Sequence, residues 1–309
     1  MKVAIVGGSG LVGRALTRSI LADGDDVLVL SRDPSRRGTR IPAGARIARW
    51  SADDVPSLAR SIDGTDAVVS VAGARVAPWP WTRHRKALIT SSRVDAVGAL
   101  VDAMSSLPAE RRPNCLVVVS GIDAYPESEP GDDPPPMTEA TPMGSEFLAQ
   151  VSRSMEDEAR RAEVLGVRVT RLRMGHVLAR DANLVWLLAL PVRLFVGGRI
   201  GSGRQWISWV HIDDAVGLFR LAMRQSIPGG VLNVTSPGAC RQIDFVRSMA
   251  RVLHRPSRFA APAWMVRSVL GEQSVLLLGS RRLAPAMAKA IGYTFRYPTI
   301  DPALDHVLG

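Results

Sequence analysis

The sequence predicts an α/β fold, a doubly wound parallel sheet followed by a smaller mixed C-terminal lobe. Two observations carry this prediction. Short β-branched runs alternate with helical patterns through the first half of the chain, as in βαβ units. A glycine-rich turn directly follows the first of these strands and opens the first helix. The alternation ends near residue 173, so we expect a nucleotide-binding domain at 1–173 and a substrate lobe at 174–309, interleaved with the sheet.

The predicted strands of the first half are Lys2–Val6, Val27–Leu30, Arg46–Ala48, Ala67–Val71, Cys115–Ser120 and Arg168–Arg171. The helical stretches between them are Val12–Ala22, Val55–Ile62, Arg83–Met104 and Phe147–Leu165. Parallel strands need crossover connections of this kind. A stretch rich in Pro, Asp, Glu and Gly at 126–142 is predicted to be a long surface loop. It follows a strand end, where open α/β sheets bind their ligands.

In the second half, helical runs are mixed with two short strands, which favours a lobe that closes over a ligand. The strands are predicted near Gln205–Ile212 and Val231–Val234. The helices are predicted at Ala182–Leu190, Asp213–Met223, Ile243–Leu253, Pro262–Leu270, Ser274–Leu278 and Ala284–Ala290.

The net charge of +10 comes almost wholly from arginine, since only Lys2, Lys86 and Lys289 are lysines. The arginines are spread along the chain among acidic residues, which suggests a compositional bias more than a binding stripe. No helix-turn-helix, zinc-finger or RNP pattern accompanies the charge, so we expect no nucleic-acid partner and favour anionic small ligands.

Cysteine usage and apolar runs bear on the compartment. Cys115 and Cys240 are far apart and form neither a disulfide framework nor a metal-ligand spacing, so no metal is expected and a reducing compartment fits. The chain starts at once with a strand, without the pattern of a signal peptide. The longest apolar run, Leu184–Val192, is too short to span a bilayer. We therefore expect a cytoplasmic protein with no membrane partner.

The glycine-rich turn is typical of a dinucleotide-binding site of the Rossmann type. Three glycines are spaced three apart between a strand and a helix. In such a loop the first glycine allows the tight turn, the second lets the backbone approach a pyrophosphate, and the third lets the helix pack on the sheet. An ordinary glycine-rich turn is the alternative. The residues predicted to bind the cofactor here are Gly7, Gly8, Ser9, Gly10, Leu11, Val12 and Gly13.

The end of the second strand decides between the two nicotinamide dinucleotides. An acid there suits the ribose hydroxyls of NAD, whereas arginine and a small hydroxyl suit the 2′-phosphate of NADP. The strand ends with Ser31 and Arg32, and Asp33 follows. Three more arginines come soon after, at positions 36, 37 and 40. We therefore predict NADP bound by Ser31 and Arg32, with NAD held by Asp33 as the alternative.

Several motifs resemble the atypical, extended short-chain dehydrogenase/reductase (SDR) class, in particular its SDR39U-type epimerase-like family with a DUF1731-like C-terminus. The block from Gly201 to Asp214 is the most specific of them, because generic dinucleotide-binding proteins lack it. The other segments are Gly7–Gly13, Val71–Ala74, Lys86–Arg93, Phe147–Ala149 with Glu156, and Gly292–Thr299.

The resemblance implies a cofactor site across the strand ends and a substrate lobe above it, and it implies a homodimer as a candidate assembly. Ala72, Gly73, Ala74 and Ser92 are then expected to contact the cofactor. Ser120, at the end of the fifth predicted strand, stands where SDR enzymes place the serine that polarises the substrate oxygen; a plain serine at a strand end is the alternative.

The usual SDR acid and its lysine are missing from their positions. Counting from Glu156, the positions of the expected tyrosine and lysine fall on Leu148 and Ser152. Neither side chain can act as an acid or base at neutral pH. Tyr125, five residues after Ser120, is the alternative acid/base candidate, although Ala124 and Pro126 depart from the family pattern around it.

Substrate contacts are predicted from two segments. Lys86 and Arg93 lie seven residues apart on one helix and face the same way, toward an anionic ligand or toward solvent. Gln205, Trp206 and Trp209 belong to an alternating strand of which one face is expected to line the pocket, with core packing of the tryptophans as the alternative.

His211 and the acids after it open the next predicted helix. Asp213 or Asp214 is expected to cap that helix. His211 is a candidate proton carrier, with a structural hydrogen bond to the backbone as the alternative.

Together the predictions describe an NADP-dependent oxidoreductase or epimerase that acts on an unidentified small molecule. The rival interpretation is a non-catalytic dinucleotide-binding regulator or redox sensor that has lost the tyrosine and lysine.

Overall fold

A seven-stranded, wholly parallel sheet forms the centre of the molecule, in the order β11-β6-β5-β4-β1-β2-β3. The computed structural model describes residues 1–37, 40–224 and 226–309, apart from the side chains of 36, 37, 183 and 184. The predicted fold class is confirmed. The strands of the sheet are β1 Lys2–Val6, β2 Asp26–Ser31, β3 Arg46–Arg49, β4 Ala67–Ser70, β5 Cys115–Gly121, β6 Arg168–Met174 and β11 Gly230–Val234.

Helices cover both faces of the sheet and bury apolar side chains against it. On one face α1 and α7 pack together over β1 and β5, with Leu16 and Phe219 fully buried. On the other face lie α3, α4 and α5, which bury Leu58, Leu100 and Met155. The helices of the chain are α1 Leu11–Ala22, α2 Pro34–Arg37, α3 Val55–Ile62, α4 Arg83–Ser105, α5 Phe147–Arg160, α6 Asn183–Arg193, α7 Ile212–Met223, α8 Gln242–Val252, α9 Ala263–Leu270, α10 Val275–Leu278, α11 Ala286–Ala290 and α12 Ile300–Leu308.

Strand β11 comes from the second half of the chain but completes the central sheet. It pairs in parallel with β6, with Leu232 opposite Leu172. The sequence prediction of six strands was therefore one short, because a five-residue strand far from its neighbours in sequence gives no sign of the sheet that it joins. The interleaving of lobe and sheet takes this form, and the proposed boundary at 173 stays a prediction.

The C-terminal lobe contains three two-stranded sheets. Their strands are β7 His176–Leu178 with β10 Trp209–His211, β8 Gly198–Ile200 with β13 Phe259–Ala261, and β9 Trp206–Ile207 with β12 Cys240–Arg241. The prediction of one continuous strand at 205–212 was wrong. Ser208 interrupts it, because its side-chain hydroxyl donates to the carbonyl of Arg281 (2.9 Å) and accepts from the amide of Leu283 (2.9 Å).

The long loop at 126–142 is bound to the C-terminal segment by backbone hydrogen bonds. The amide of Ser128 donates to the carbonyl of Ser280 (2.8 Å), and that of Met137 donates to the carbonyl of Arg282 (2.7 Å). Ala284 donates in return to Met137 (2.8 Å). The loop is therefore held over the end of β5 by residues about 150 positions later in the chain.

No helix in the described ranges combines the length and the apolar character needed to cross a bilayer. Cys115 and Cys240 are both free thiols. Burial raises the pKa of Cys115 to about 11, so its thiol stays protonated at neutral pH.

Candidate dinucleotide and substrate site

The glycine turn after β1 has space for nothing larger than glycine at its first and third positions. Gly7 has a φ of +87°, and a Cβ there would lie 2.9 Å from the backbone nitrogen of Ala72. A Cβ on Gly13 would lie 2.6 Å from the Cα of Gly8. The amide of Gly10 donates to the carbonyl of Gly7 (3.0 Å) and closes the turn. The loop thus keeps the first turn of α1 close to the strand ends.

The N-terminus of α1 is open to a ligand. Gly10 is its N-cap and offers no capping side chain, so the first amides of the helix, beginning at Leu11 and Val12, keep their hydrogen-bonding capacity. Ser9 is nearly buried, and its carbonyl accepts from Arg14 (3.1 Å). Free amides at the positive end of a helix form a site for an anionic group.

The end of β2 presents one buried hydroxyl and one exposed cation. Ser31 is buried, and Arg32 is exposed. Asp33 accepts a hydrogen bond from the hydroxyl of Ser35 (2.7 Å). Arg40 is exposed, whereas the side chains at 36 and 37 lie outside those described. Ser31 and Arg32 thus occupy the strand end at which they were predicted.

The turn after β4 lies against the glycine loop, as the proximity of Ala72 to Gly7 shows. Ser92 of α4 accepts from the amide of Ala74 (2.9 Å). A Cβ on Gly73 would lie 2.9 Å from the guanidinium carbon of Arg93. The structure therefore brings the predicted residues at 72–74 and 92 to the same edge as the glycine loop.

Arg93 is a partly buried cation at this edge. Burial lowers the pKa of its guanidinium, and it donates to the carbonyl of Ile89 in its own helix (3.0 Å). No carboxylate among the described residues forms an ion pair with it. Its neighbour in the prediction, Lys86, instead pairs with Glu272 of the lobe and lies 5.0 Å from the ring centre of Phe147. The two cations thus occupy different surroundings.

The end of β5 is occupied by a buried polar network. The hydroxyl of Ser120 donates to Oε1 of Glu156 (2.8 Å). Arg173 at the end of β6 binds both carboxylate oxygens of Glu156, at 2.9 Å each. Glu156 is fully buried, and Arg173 is 3% exposed. Sequence reasoning missed Arg173, because it is one of three arginines in β6 and the sequence does not show which of them is paired within the core.

Tyr125 belongs to the same network and has no exposed surface. Its hydroxyl donates to Oδ1 of Asn233 (2.7 Å), and the guanidinium of Arg173 lies 4.7 Å from its ring centre. Burial raises the pKa of the phenol. The side chain proposed as acid/base therefore forms its hydrogen bond within the protein and is shielded from solvent in this conformation.

A cleft of about 300 Å³ lies between the end of β5, the start of α5 and the lobe. Leu148, at the usual tyrosine position, lines it, so an apolar side chain stands where a phenol is expected. The cleft is lined by Trp81, Asp123, Glu146, Phe147, Leu148, Glu272, Val275 and Arg281.

Arg281 joins the lobe to the end of β5 through its guanidinium group, which lines the cleft. Its guanidinium pairs with Asp123 (3.1 Å) and Glu127 (3.3 Å) and donates to the carbonyl of Tyr125 (2.9 Å). Burial raises the pKa of Glu127. Sequence reasoning missed Arg281 and Asp123 because 158 residues separate them. The presence of two acids so soon after Ser120 was the available signal.

Comparison with known proteins agrees with this geometry. Residues 3–235 match the NAD dependent epimerase/dehydratase family, and residues 261–307 match DUF1731, a domain of unknown function. The chain belongs to the NAD dependent epimerase/dehydratase family. The resemblance to its SDR39U-type members is also confirmed: the chain is 32% identical over 312 residues to the chloroplastic SDR39U1 homolog of Arabidopsis thaliana, covering all of this chain and 87% of the relative.

Two further relatives extend the comparison. An epimerase family protein of Staphylococcus saprophyticus is 31% identical, with 98% of both chains covered. The crystal structure of human epimerase family protein SDR39U1 with NADPH superposes with a TM-score of 0.86 at 28% identity, with 99% of both chains covered. UDP-glucose 4-epimerase of Thermotoga maritima has a TM-score of 0.80 at 17% identity, which shows the shared fold alone.

The family-specific block at 201–214 supports the lobe and does not line the cleft. Gln205 is buried and donates to the carbonyls of Ile200 (3.0 Å) and Leu277 (3.2 Å). Trp209 is fully buried and donates to the carbonyl of Gly238 (2.8 Å). Trp206 lies between the guanidinium groups of Arg241 (4.0 Å) and Arg282 (4.3 Å). These three residues are among the predicted substrate contacts; Trp209 is packed in the core, whereas Gln205 and Trp206 contact backbone carbonyls and arginines of the lobe.

His211 is the N-cap of α7, where Asp213 or Asp214 was predicted. Its Nδ1 accepts from the amide of Asp213 (3.1 Å), and its Nε2 lies 3.0 Å from Nδ1 of His306. Burial lowers the pKa of His211 to about 4. The prediction of an aspartate cap was wrong because Asp214 is used elsewhere: its carboxylate accepts from the amides of Arg296 and Tyr297.

Proposed function

We propose that this protein binds NADP(H) along the carboxyl edge of the sheet and acts as an oxidoreductase or epimerase on a small molecule bound in the cleft. The observation that carries the proposal is the open edge formed by the glycine loop, the uncapped N-terminus of α1 and the turn at 72–74. The close backbone packing at Gly7 and Gly13 keeps the first turn of α1 beside the strand ends, where its amides can hold a pyrophosphate. The human relative described with NADPH supports the choice of cofactor.

The preference for NADP over NAD rests on Ser31 and Arg32. An exposed guanidinium can bind a 2′-phosphate through charge-assisted hydrogen bonds, whereas NAD offers it no such anion. A structural neighbour of lower identity, WbmG of Bordetella bronchiseptica, is described with NAD. The residues at the end of β2 in this chain must therefore determine which of the two cofactors binds.

Titration of the purified protein with NADPH and NADH, followed by cofactor fluorescence, tests the preference. We expect NADPH to bind more tightly, and Arg32→Ala to weaken NADPH binding about tenfold or more, in line with a lost charge-assisted contact. NADH affinity should be unchanged in this variant. Arg60→Ala, at an exposed arginine in the last turn of α3, is the matched control. Equal affinity for the two cofactors in the unmodified protein would refute the assignment to Ser31 and Arg32.

For the chemical step, a nicotinamide dinucleotide supplies or accepts a hydride when bound. Ser120 and Tyr125 were the predicted proton-handling residues, and both hydroxyls donate to buried partners. Asp123 lines the cleft three residues after Ser120. We therefore assign the proton of the substrate oxygen to the carboxylate of Asp123, held in position by Arg281 at 3.1 Å.

Turnover measurements separate Asp123 from Tyr125. Carbonyl compounds, carbinols and nucleotide sugars would be screened for oxidation or reduction of the cofactor at 340 nm, or for epimerisation. With an active compound we expect Tyr125→Phe to retain turnover and Asp123→Asn to lose it about 100-fold, the usual contribution of a general acid or base. Loss of turnover in a well-folded Tyr125→Phe variant, with Asp123→Asn active, would return the role to Tyr125.

A non-catalytic dinucleotide sensor is the second candidate function. It is favoured by Leu148 and Ser152, which occupy the usual positions of the tyrosine and lysine. Saturable NADPH binding without turnover of any compound in the screen would support the sensor. Turnover that depends on a residue of the cleft would exclude it.

A further inference from the structure

The C-terminal lobe exposes an unusual number of large apolar side chains. Trp264 is 69% exposed and Phe259 is 59% exposed, whereas such residues are mostly buried in monomeric proteins. The exposed apolar residues of this part of the chain are Trp186, Leu187, Leu194, Phe195, Val196, Phe259, Trp264, Met265 and Val269. They come from two separate segments, around α6 and around α9.

The pairing of β8 with β13 brings the two segments together. The strands run in parallel with Phe259 opposite Gly198, and the amide of Phe259 lies 3.3 Å from the carbonyl of Gly197, to which it donates. The guanidinium of Arg255 lies 4.8 Å from the ring centre of Phe195. Helix α9 starts two residues after β13, and α6 ends just before Leu194. We call this region the basic apolar surface.

The two segments that form this surface carry arginines but no acidic residue of their own. Residues 182–212 and 245–271 contain eight arginines and no aspartate or glutamate, in a chain whose net charge is +10. Five of these arginines are exposed and form no ion pair with any carboxylate that the structure describes: Arg193, Arg199, Arg255, Arg258 and Arg267. The arginines are therefore not evenly mixed with acids, as the sequence had suggested. The segments that lack acids are 32 residues apart in sequence and become neighbours only in the fold.

We propose that the basic apolar surface docks on the face of an anionic phospholipid bilayer, with its tryptophan and phenylalanine rings at the level of the headgroups. Aromatic and aliphatic side chains gain free energy on leaving water for the interface, and arginine is attracted to anionic lipid. Both contributions are present on one surface here. This differs from the expectation, drawn from the sequence, that the protein has no membrane partner.

Two other occupants fit the surface less well. A second copy of this chain would place arginines against arginines, and like charges across an interface are unfavourable. A nucleic acid would use the arginines but would leave Leu187, Val196 and Val269 without an apolar partner. A bilayer satisfies both the charge and the apolar area.

Cosedimentation of the full-length protein with vesicles tests the proposal. We expect binding to vesicles of phosphatidylcholine that contain roughly 30–40% phosphatidylglycerol, because this anionic content gives the vesicle a strong surface potential. Binding to vesicles of phosphatidylcholine alone should be much weaker. The double variant Arg193→Glu/Arg267→Glu should bind at least about tenfold more weakly. The double variant Arg49→Glu/Arg60→Glu changes the net charge by the same amount, at exposed sites outside the basic apolar surface. It is the matched control.

The apolar contribution has its own variant. Trp264→Ser should weaken binding to the anionic vesicles about tenfold or more, whereas Val164→Ser, at a site that is 89% exposed, should not. Equal binding of both double variants, or no binding of the unmodified protein, would overturn the proposal. So would a dimer, detected by sedimentation velocity, that Trp264→Ser dissociates while vesicle binding is unaffected. All variants would be checked for unchanged thermal unfolding.

Discussion

Two stretches of the same sheet edge are built in opposite ways. At β1 and β4 glycines stand in place of larger residues: Gly7 and Gly13 let backbone segments pack closely, and Gly73 leaves room for the guanidinium of Arg93. At β5 and β6 the chain fills the edge with polar side chains that bind one another, centred on Glu156 and Arg173. We refer to them as the open end and the closed end.

The difference teaches that the two stretches of the edge are held in shape by different means. The open end depends on backbone geometry, which any residue with a Cβ would block. The closed end depends on a buried ion pair and two hydroxyls that have no remaining donor for a ligand.

The largest effect is expected from breaking the closed end. Glu156→Ala leaves the guanidinium of Arg173 buried without its carboxylate, and we expect the free energy of unfolding to fall by about 3–5 kcal/mol. Glu158→Ala removes a partly exposed partner of Arg161 and should cost no more than about 1 kcal/mol. Urea denaturation of both variants measures the difference. Equal losses would mean that the network does not stabilise the closed end.

Filling the open end should cost somewhat less. Gly7→Ala combines a positive φ with a Cβ 2.9 Å from backbone atoms, and we expect a loss of about 3 kcal/mol together with loss of NADPH binding. Gly24→Ala has a similar φ of +79° but open space around the added Cβ, so only about 1 kcal/mol is expected. Denaturation and cofactor titration are the measurements. If Gly7→Ala binds NADPH normally, the open end is not the cofactor site.

Acid should act on the helix pair behind the open end, since α1 packs on α7 and His211 caps α7. The pKa of His211 is lowered to about 4 from an ordinary 6.5. Between pH 6.5 and pH 4 this imidazole is therefore protonated in the unfolded chain but neutral in the folded chain. Its full contribution to the free energy of unfolding is present above pH 6.5 and decreases as the pH falls toward 4.

Because of this group, we expect the free energy of unfolding to fall by about 3 kcal/mol as the pH is lowered from 6.5 to 4. His211→Asn keeps a capping side chain and should flatten the pH profile of the unfolding free energy, whereas the exposed His84→Asn should leave it unchanged. The same slope in all three proteins would show that His211 does not titrate in this way.

The smallest effect is expected at Tyr125. Tyr125→Phe removes one hydrogen bond to Asn233 within the closed end, and we expect a cost of about 1 kcal/mol in urea denaturation. Asn233→Ala also removes the bond from Asn233 to the carbonyl of Ala284, so it should cost more. If Tyr125→Phe lowers the free energy of unfolding more than Asn233→Ala does, the phenol stabilises the fold by more than this one hydrogen bond.

The parts of the molecule that were predictable are those in which the signal is local. Strands such as Lys2–Val6 and helices such as Val55–Ile62 follow from periodicity and were placed with their observed ends. The glycine loop was recognisable because its geometry depends on residues within seven positions of each other. The family block at 201–214 was likewise a continuous motif.

The rest depended on contacts that the sequence does not reveal. The partners of Tyr125 and Asp123 lie more than 100 residues away, at Asn233 and Arg281, so the closed end could not be assembled from spacing. Trp209 was predicted both as a pocket residue and as a core residue, and only its burial decides. Strand β11 was recognised as a strand, but its neighbour in the sheet was not.

The bonds that hold the loop at 126–142 have a consequence for the order in which the molecule can be completed. Their partners, at 280–284, are synthesised roughly 150 residues after the loop itself. The open end needs only the first 93 residues for its principal parts. During synthesis the residues of the open end therefore precede by far the segment that closes the loop over Tyr125.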